Sequence, residues 1–458
     1  MPAWRFDAAL LPSGWATDVT VEVDRGRIAA VAVASARPAE RISGVALPGM
    51  VNAHSHAFQR VFAGLAERRA AADDSFWTWR DAMYRAAAQL TPESVHAIAA
   101  QLYGEMLASG YTSVVEFHYV HHRPDGIVYA PVSAMADAIV AAARDAGIGL
   151  TLLPVLYQHS GFGGRVPTEG QKRFLNSVDA LLALAADIVG RAPDVRVGLA
   201  FHSLRAVAPA ALVEALTGVD ASLPDAPIHI HIAEQPGEVA DCLAWSGSRP
   251  VEWLLDNAAV DARWCLVHAT HVTPEETVRL AKSGAVVALC PSTEGNLGDG
   301  LFPLRDFAGA GGRIAIGSDS HVTVDPFEEL RWLDYGQRLR THRRATGATE
   351  GDPHPGAALW RASLDGGAQA AARPVGRIEV GASADLLVVD PDHPALAVAP
   401  ADALLDTLVF HAGARAALVR VMAGGNWVAA HGRHLDAERF ADRFRTVAGP
   451  LRQVLAAI

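Results

Sequence analysis

Residues 50–56 read Met50-Val51-Asn52-Ala53-His54-Ser55-His56, an extended stretch that passes from apolar residues into two histidines. Side chains two apart on a strand share a face, so His54 and His56 can reach one ion together. The design recurs along the chain. His229-Ile230-His231 is followed by Glu234, His268 comes just past Val267, and Asp319 sits in Gly317-Ser318-Asp319-Ser320-His321. Polar side chains gathered at the C-terminal ends of strands are where a (β/α)8 barrel keeps its chemistry.

The surrounding pattern agrees. Further strands are expected at Thr112–Phe117, Ile148–Leu156, Val195–Phe201, Ile228–Ile232, Cys265–Ala269, Ala285–Leu289 and Arg313–Ile316. With the first strand through Met50-Val51-Asn52 they make about eight, the count for a closed barrel. Helices alternate with them. Thr91-Pro92-Glu93 carries a cap, a proline at the first helical position and an acid at the positive dipole end, and Gly110 ends that helix. Ser133 to Ala146 is a second helix, closed by Gly147. Doubly wound sheets alternate in the same way, so the polar strand ends carry the choice of a barrel.

Both chain ends read as short strands. Thr17–Val23, a turn at Asp24-Arg25-Gly26-Arg27, and Ile28–Val31 form one set. Ala384–Asp390, Leu418–Met422, the turn Gly424-Gly425-Asn426 and Trp427-Val428 form another. The expected fold is therefore α/β: a TIM-like (β/α)8 barrel over residues 49–378, with a small β domain built from residues 1–48 and 379–458, the latter including a terminal helix. A length of 458 residues suits a barrel with an appendage.

Composition narrows the function. The formal net charge is -11 with no long run of one sign, which argues against nucleic acid and anionic membranes as partners. Cys242, Cys265 and Cys290 have no CxxC spacing, which argues against a disulfide framework or a cysteine zinc site. There is no signal-like N-terminus and no apolar run long enough for a membrane span, so the cytoplasm is expected. No GxGxxG follows a strand, which disfavours a dinucleotide-dependent oxidoreductase. Gly161-Phe162-Gly163-Gly164 reads as a flexible lid or a plain turn.

Zinc takes nitrogen and oxygen ligands and, when catalytic, keeps one position open. His54, His56, His231 and Asp319 would supply such a site. His229 competes with His231, because it shares the strand face. An HxH pair alone is as readily a surface or core pair; convergence of several strand ends is what points to a ligand set. Glu234 is a proton-shuttle candidate or a solvated loop carboxylate, and His268 a further ligand or a free base. The chain has two lysines, Lys172 and Lys282, neither at a strand end. A second metal bridged by a carbamylated lysine is therefore not expected, and one Zn2+ per chain is.

Together, Leu47-Pro48-Gly49-Met50-Val51-Asn52-Ala53-His54-Ser55-His56, the HxxE from His231 to Glu234, His268 and Ser318-Asp319 resemble the amidohydrolase superfamily, and the HxxE its deaminase branch. A narrower resemblance is to the formimidoylglutamate deiminases of histidine degradation. It rests on His56-Ala57-Phe58-Gln59-Arg60, Phe76-Trp77-Thr78-Trp79-Arg80, Phe117-His118-Tyr119, His202-Ser203-Leu204-Arg205 and His229–Gln235. That resemblance implies that Gln59, Arg80, Tyr119, His202 and Arg205 contact the substrate and that the chain is a homodimer; Glu234, His268 and Asp319 are expected to be the catalytic groups, as shuttle, stabiliser of the tetrahedral centre and holder of the water. The implied substrate has two carboxylates and a formamidine, and the planar forks of Arg80 and Arg205 suit the carboxylates. Arg60 and Arg123 are weaker candidates, and Trp77 and Trp79 read equally well as packing. The rival readings are a purine- or pterin-type ring deaminase, which would share the metal set, and a barrel that has lost catalysis and acts as a binding protein.

Overall fold

The computed structural model describes residues 1–64 and 76–456. Eight parallel strands form the barrel in sequence order: Met50–Ser55, Tyr111–His118, Gly149–Leu156, a fourth strand in two pieces (Arg196–Val197 and Leu199–Phe201), Ile228–Ile232, Trp264–His268, Val286–Leu289 and Arg313–Ile316. They are called barrel strands 1 to 8 below. Residues of strands 2, 5 and 6 are buried at every position, as expected where helices cover one face and packed side chains fill the other.

The fourth strand departs from the unbroken Val195–Phe201 expected. Gly198 interrupts it, and a Cβ there would lie 2.5 Å from both the Leu153 side chain and the Pro227 carbonyl oxygen. The first strand runs through His54 to Ser55, in line with the extended stretch expected to end in His54-Ser55-His56.

Strands 1 and 8 close the barrel. The Asp319 N–H donates to the His54 carbonyl at 3.0 Å, and the His56 N–H to the Asp319 carbonyl at 3.3 Å. Gly317 permits this seam, since a Cβ on it would stand 2.8 Å from both the backbone nitrogen and Cβ of His54. Closure thus brings the His54/His56 pair and Asp319, 263 residues beyond His56, to one rim.

Local signals set the helix ends as expected. Thr91 caps helix Pro92–Ser109 in a capping box with Ser94, and Gly110 ends it at φ 112. Gly147, at φ 77, does the same after Ala134–Ala146.

The chain ends build one eight-stranded sheet in the order Arg433–His434, Asn426–Ala430, Leu418–Ala423, Leu386–Val389, Glu40–Pro48, Ala3–Leu11, Gly14–Asp24 and Arg27–Val33. Ala3–Leu11 and Glu40–Pro48 extend the strand set read from the sequence. The first turn is tighter than expected: Arg25 and Gly26 alone span it, both at positive φ. Trp4, Phe6, Val21, Leu386, Val388 and Met422 form this sheet's own core. Among the described residues no helix is long and apolar enough to cross a membrane.

Candidate active site

At the end of strand 1, His54 and His56 turn their Nε2 atoms to within 3.1 Å of each other. His231, from strand 5, completes a triangle: its Nε2 is 3.0 Å from that of His54 and 3.2 Å from that of His56. All three rings are buried. The Nδ1 of His56 lies 3.0 Å from the Phe117 carbonyl, and that of His231 lies 2.8 Å from the His202 carbonyl. A carbonyl only accepts, so in both rings Nδ1 carries the proton. In the neutral form their Nε2 lone pairs then face each other, an arrangement that calls for a cation between them. Burial holds all three imidazoles below the ordinary histidine range, in the neutral form that ligates metals. Tetrahedral zinc with bonds of about 2.0–2.1 Å sets its nitrogen ligands about 3.3 Å apart, close to this triangle. Asp319 Oδ1 stands 3.5 Å from His54 Nε2 and 3.4 Å from His56 Nε2, on hand as the fourth ligand. The residues fit a divalent ion.

His229 is not part of this group. It sits two residues back on strand 5, one layer deeper in the barrel, and its Nε2–H donates to the Ala370 carbonyl at 2.9 Å.

Beside the triangle, His268 ends strand 6. Its Nδ1–H donates to Glu294 Oε1 at 3.2 Å, while Nε2 faces Glu234 Oε1 at 3.9 Å and Asp319 Oδ2 at 3.8 Å. Burial disfavours charge on this ring, but the carboxylates of Glu234, Glu294 and Asp319 outweigh it and lift His268 to about 10. Glu234 is itself buried rather than solvated. Burial raises its carboxyl to about 7, against the pull of His268 and Arg205, so it can take and give a proton near neutrality. Ala233, His268 and Asp319 hold left-handed backbone, at φ 51, 69 and 45. Such strain costs of order 1 kcal/mol or more per residue and clusters at functional sites.

His56, His231, Glu234, His268 and Asp319 line one pocket together with Gln59, Arg80, Tyr119, His202 and Arg205. The structure therefore brings the substrate-contact candidates together beside the ligand triangle. Gln59 Nε2 donates to the Tyr119 hydroxyl at 3.0 Å. Arg80 lies over the Tyr84 ring, 5.5 Å from its centroid. Arg205 is half-buried; desolvation opposes its charge, yet Glu238 and Glu234 outweigh that and hold the guanidinium above its usual range.

Other candidates go elsewhere. Arg60 forks onto Glu105, at 2.7 and 3.2 Å, and Arg123 lies over Tyr129. Gly161–Gly164 is a turn pinned by Phe162, which is buried and stacks on Trp245 at 5.2 Å. Trp79 lines the pocket, and the side chain of Trp77 lies outside the described residues. Lys172 pairs with Glu169 away from the site.

Sequence reasoning missed Glu294, Tyr84 and Tyr157. Tyr157 follows directly on strand 3 and Tyr84 lies one helical turn beyond Arg80, so the strand-end rule and i,i+4 spacing could have found both. No local pattern links Glu294 to His268.

Comparison with known proteins agrees with this geometry. The Amidohydrolase family profile matches residues 45–428. The chain is 53% identical to the formimidoylglutamate deiminase of Pseudomonas aeruginosa, over 97% of this chain and 98% of that one. It is 31% identical to a 5-methylthioadenosine/S-adenosylhomocysteine deaminase of Halobacterium salinarum, over 83% and 81% of the two chains. A crystal structure of an amidohydrolase from Brucella melitensis superposes with a TM-score of 0.92 at 45% identity, covering 98% of this chain and all of the other. An adenosine deaminase from Xanthomonas campestris, solved with bound zinc, shares the fold at a TM-score of 0.81 and 24% identity, over 98% of each chain. With the profile spanning most of the chain and the candidate ligands assembled at the barrel rim, this chain belongs to the amidohydrolase family.

Proposed function

We propose that this protein is a zinc-dependent hydrolase that cleaves the formimino C–N bond of N-formimino-L-glutamate, with water as co-substrate and N-formyl-L-glutamate and ammonia as products. One observation carries the reading: the pocket lined by His56, His231 and Asp319 is also lined by two arginines, Arg80 and Arg205. An amidine reacts at the metal end, and two carboxylates need two cationic forks. Two guanidinium groups in one pocket suit a dianion better than a neutral ring, which disfavours the ring-deaminase reading. A non-catalytic barrel would not need His268, Glu234 and Asp319 converging at their observed spacing. The 53% identity to the Pseudomonas deiminase supports the same conclusion.

His54, His56, His231 and Asp319 would hold one zinc ion per chain. Such an ion supplies Lewis acidity that makes hydroxide available near neutral pH. Asp319 also holds the attacking water in line with the formimino carbon. Glu234 passes both protons of that water to the leaving nitrogen, the first as the oxygen adds to carbon and the second as the tetrahedral centre collapses to the formyl group, so the nitrogen departs as ammonia. The Nε2–H of His268 faces the oxygen of the tetrahedral centre and offsets its developing charge. Arg80 and Arg205 take the carboxylates, and Gln59, Tyr119 and His202 add neutral hydrogen bonds. The three cysteines are free and buried, which fits a reducing cytoplasm. The family resemblance adds a second copy of the chain as a homodimer partner.

The test compares ammonia release from N-formimino-L-glutamate and from 5′-methylthioadenosine by the metal-loaded protein. The reading requires rapid release from the first and little from the second. The reverse order would replace it with ring deamination.

A further inference from the structure

Tyr157 follows the last residue of strand 3, and its ring enters the pocket between His202, 4.5 Å away between centroids, and Phe174, 5.8 Å away. Its hydroxyl has one proton to give, and its surroundings fix where that proton goes. Gln171 Nε2 donates to the Tyr157 oxygen at 2.6 Å. The orientation of that amide is not free. Gln171 Oε1 already accepts from the Thr168 N–H at 2.8 Å and from the Thr168 hydroxyl at 3.1 Å, in a capping box. The donor end of Gln171 must therefore face Tyr157, whose oxygen receives and whose proton points elsewhere. The Tyr84 hydroxyl stands 3.4 Å from it, long for a hydroxyl–hydroxyl bond. Burial pushes the Tyr157 phenol well above its ordinary range, against the pull of Arg205 and Arg80, so it keeps the proton at any working pH. A protonated phenol with its oxygen already occupied thus stands in the wall beside the two arginines.

We propose that Tyr157 is a further substrate-binding residue that donates its phenol proton to one carboxylate of the substrate, and that Gln171 is the positioning residue that fixes this direction. The inference rests on the reading of the pocket as a dianion site.

The test uses full-length, metal-loaded protein and steady-state kinetics. A donor to a charged acceptor is worth about 10- to 100-fold. Tyr157→Phe is expected to raise KM for N-formimino-L-glutamate at least about tenfold, with kcat within about threefold. Two analogues locate the partner: N-formimino-4-aminobutyrate lacks the α-carboxylate, and the γ-amide lacks the side-chain carboxylate. For one of them the Tyr157→Phe penalty is expected to shrink to less than about threefold, as coupling requires. Gln171→Glu keeps the acceptor for Thr168 but presents an acceptor to Tyr157, drawing the proton out of the pocket. It is expected to reproduce the rise in KM alone, and to add less than about threefold on a Tyr157→Phe background.

An unchanged KM for Tyr157→Phe, a penalty that persists on both analogues, or full additivity of the two substitutions would overturn the inference. Should Tyr157→Phe fail to fold, Gln171→Glu against the two analogues carries the same decision. Parent protein that turns over N-formimino-L-glutamate while the variants behave like it would sink this inference alone. Parent protein that does not turn it over would sink the functional reading and this inference with it.

Discussion

The barrel seam makes a quantitative claim about Gly317. A methyl group there would sit 2.8 Å from the His54 Cβ, 2.8 Å from its backbone nitrogen and 2.9 Å from its carbonyl oxygen. None of these is the end of a flexible side chain. Carbon atoms rest about 3.5–4.0 Å apart, so Gly317→Ala must open the seam by roughly 0.7 Å. That displacement falls between His54, on strand 1, and Asp319, two residues beyond Gly317. Metal ligand distances are defined to about 0.2 Å, so a shift of this size loosens the site directly. Overpacking costs about 1–3 kcal/mol, and even 1.4 kcal/mol routed into ligand geometry is about tenfold in affinity. Gly317→Ala is expected to weaken zinc binding at least about tenfold, and to lower the thermal midpoint of the metal-free protein. Chelator competition on protein checked by far-UV circular dichroism measures the first, and thermal melts the second. Gly309→Ala, where a methyl meets nothing within 4 Å, is the control. If Gly317→Ala binds zinc as tightly as the parent and melts at the same temperature, the seam does not position the ligands as described.

Other outcomes follow from the same geometry. Glu234→Gln should keep its metal and lose about 10²- to 10⁴-fold in kcat, the worth of a positioned proton shuttle; full activity in stopped-flow or steady-state assays would remove Glu234 from the scheme. Glu294→Gln keeps an acceptor for the His268 Nδ1–H and the Cys290 N–H but removes the charge. It should cost about 5- to 10-fold in kcat with little change in KM, and an unchanged kcat would make Glu294 a packing residue. Buried His121 is held down to about 4, chiefly by burial, while its Nε2–H donates to the Val155 carbonyl at 3.0 Å. The stability of this neutral ring is present above the unfolded pKa of about 6.5 and is lost as pH falls toward 4, of order 3 kcal/mol in all. His121→Gln should therefore flatten the fall of the thermal midpoint between pH 6.5 and 4, and an unchanged slope would refute it.

Much of this architecture was legible in local patterns. Thr91-Pro92 and Gly110 bound a helix through chemistry confined to a few neighbouring residues, and Pro92–Ser109 begins and ends on them. His54 and His56 share a face because of strand period alone. Depth was not legible in that way. His229 and His231 obey the same i,i+2 rule, and only the height at which strand 5 meets the rim separates a ligand from a histidine bonded to Ala370. Long-range pairs were hidden too. Glu294 reaches His268 across 26 residues, through a helix that starts at Pro291 after strand 7. The donor direction of Tyr157 depends on Gln171, whose own orientation is set by Thr168, and each link is visible only once the loop is folded. Arg60 shows the converse: next to Gln59 in sequence, it turns away to Glu105 while Gln59 lines the pocket.

The central claim joins one metal site to one substrate, and a single titration tests both. Metal-free protein would be loaded stepwise with zinc, with ammonia and N-formyl-L-glutamate quantified from N-formimino-L-glutamate at each step. The account predicts equal yields of the two products and activity that rises linearly and breaks at about one zinc per chain. Activity that needs a second equivalent, or zinc-replete protein that yields no ammonia, would contradict it.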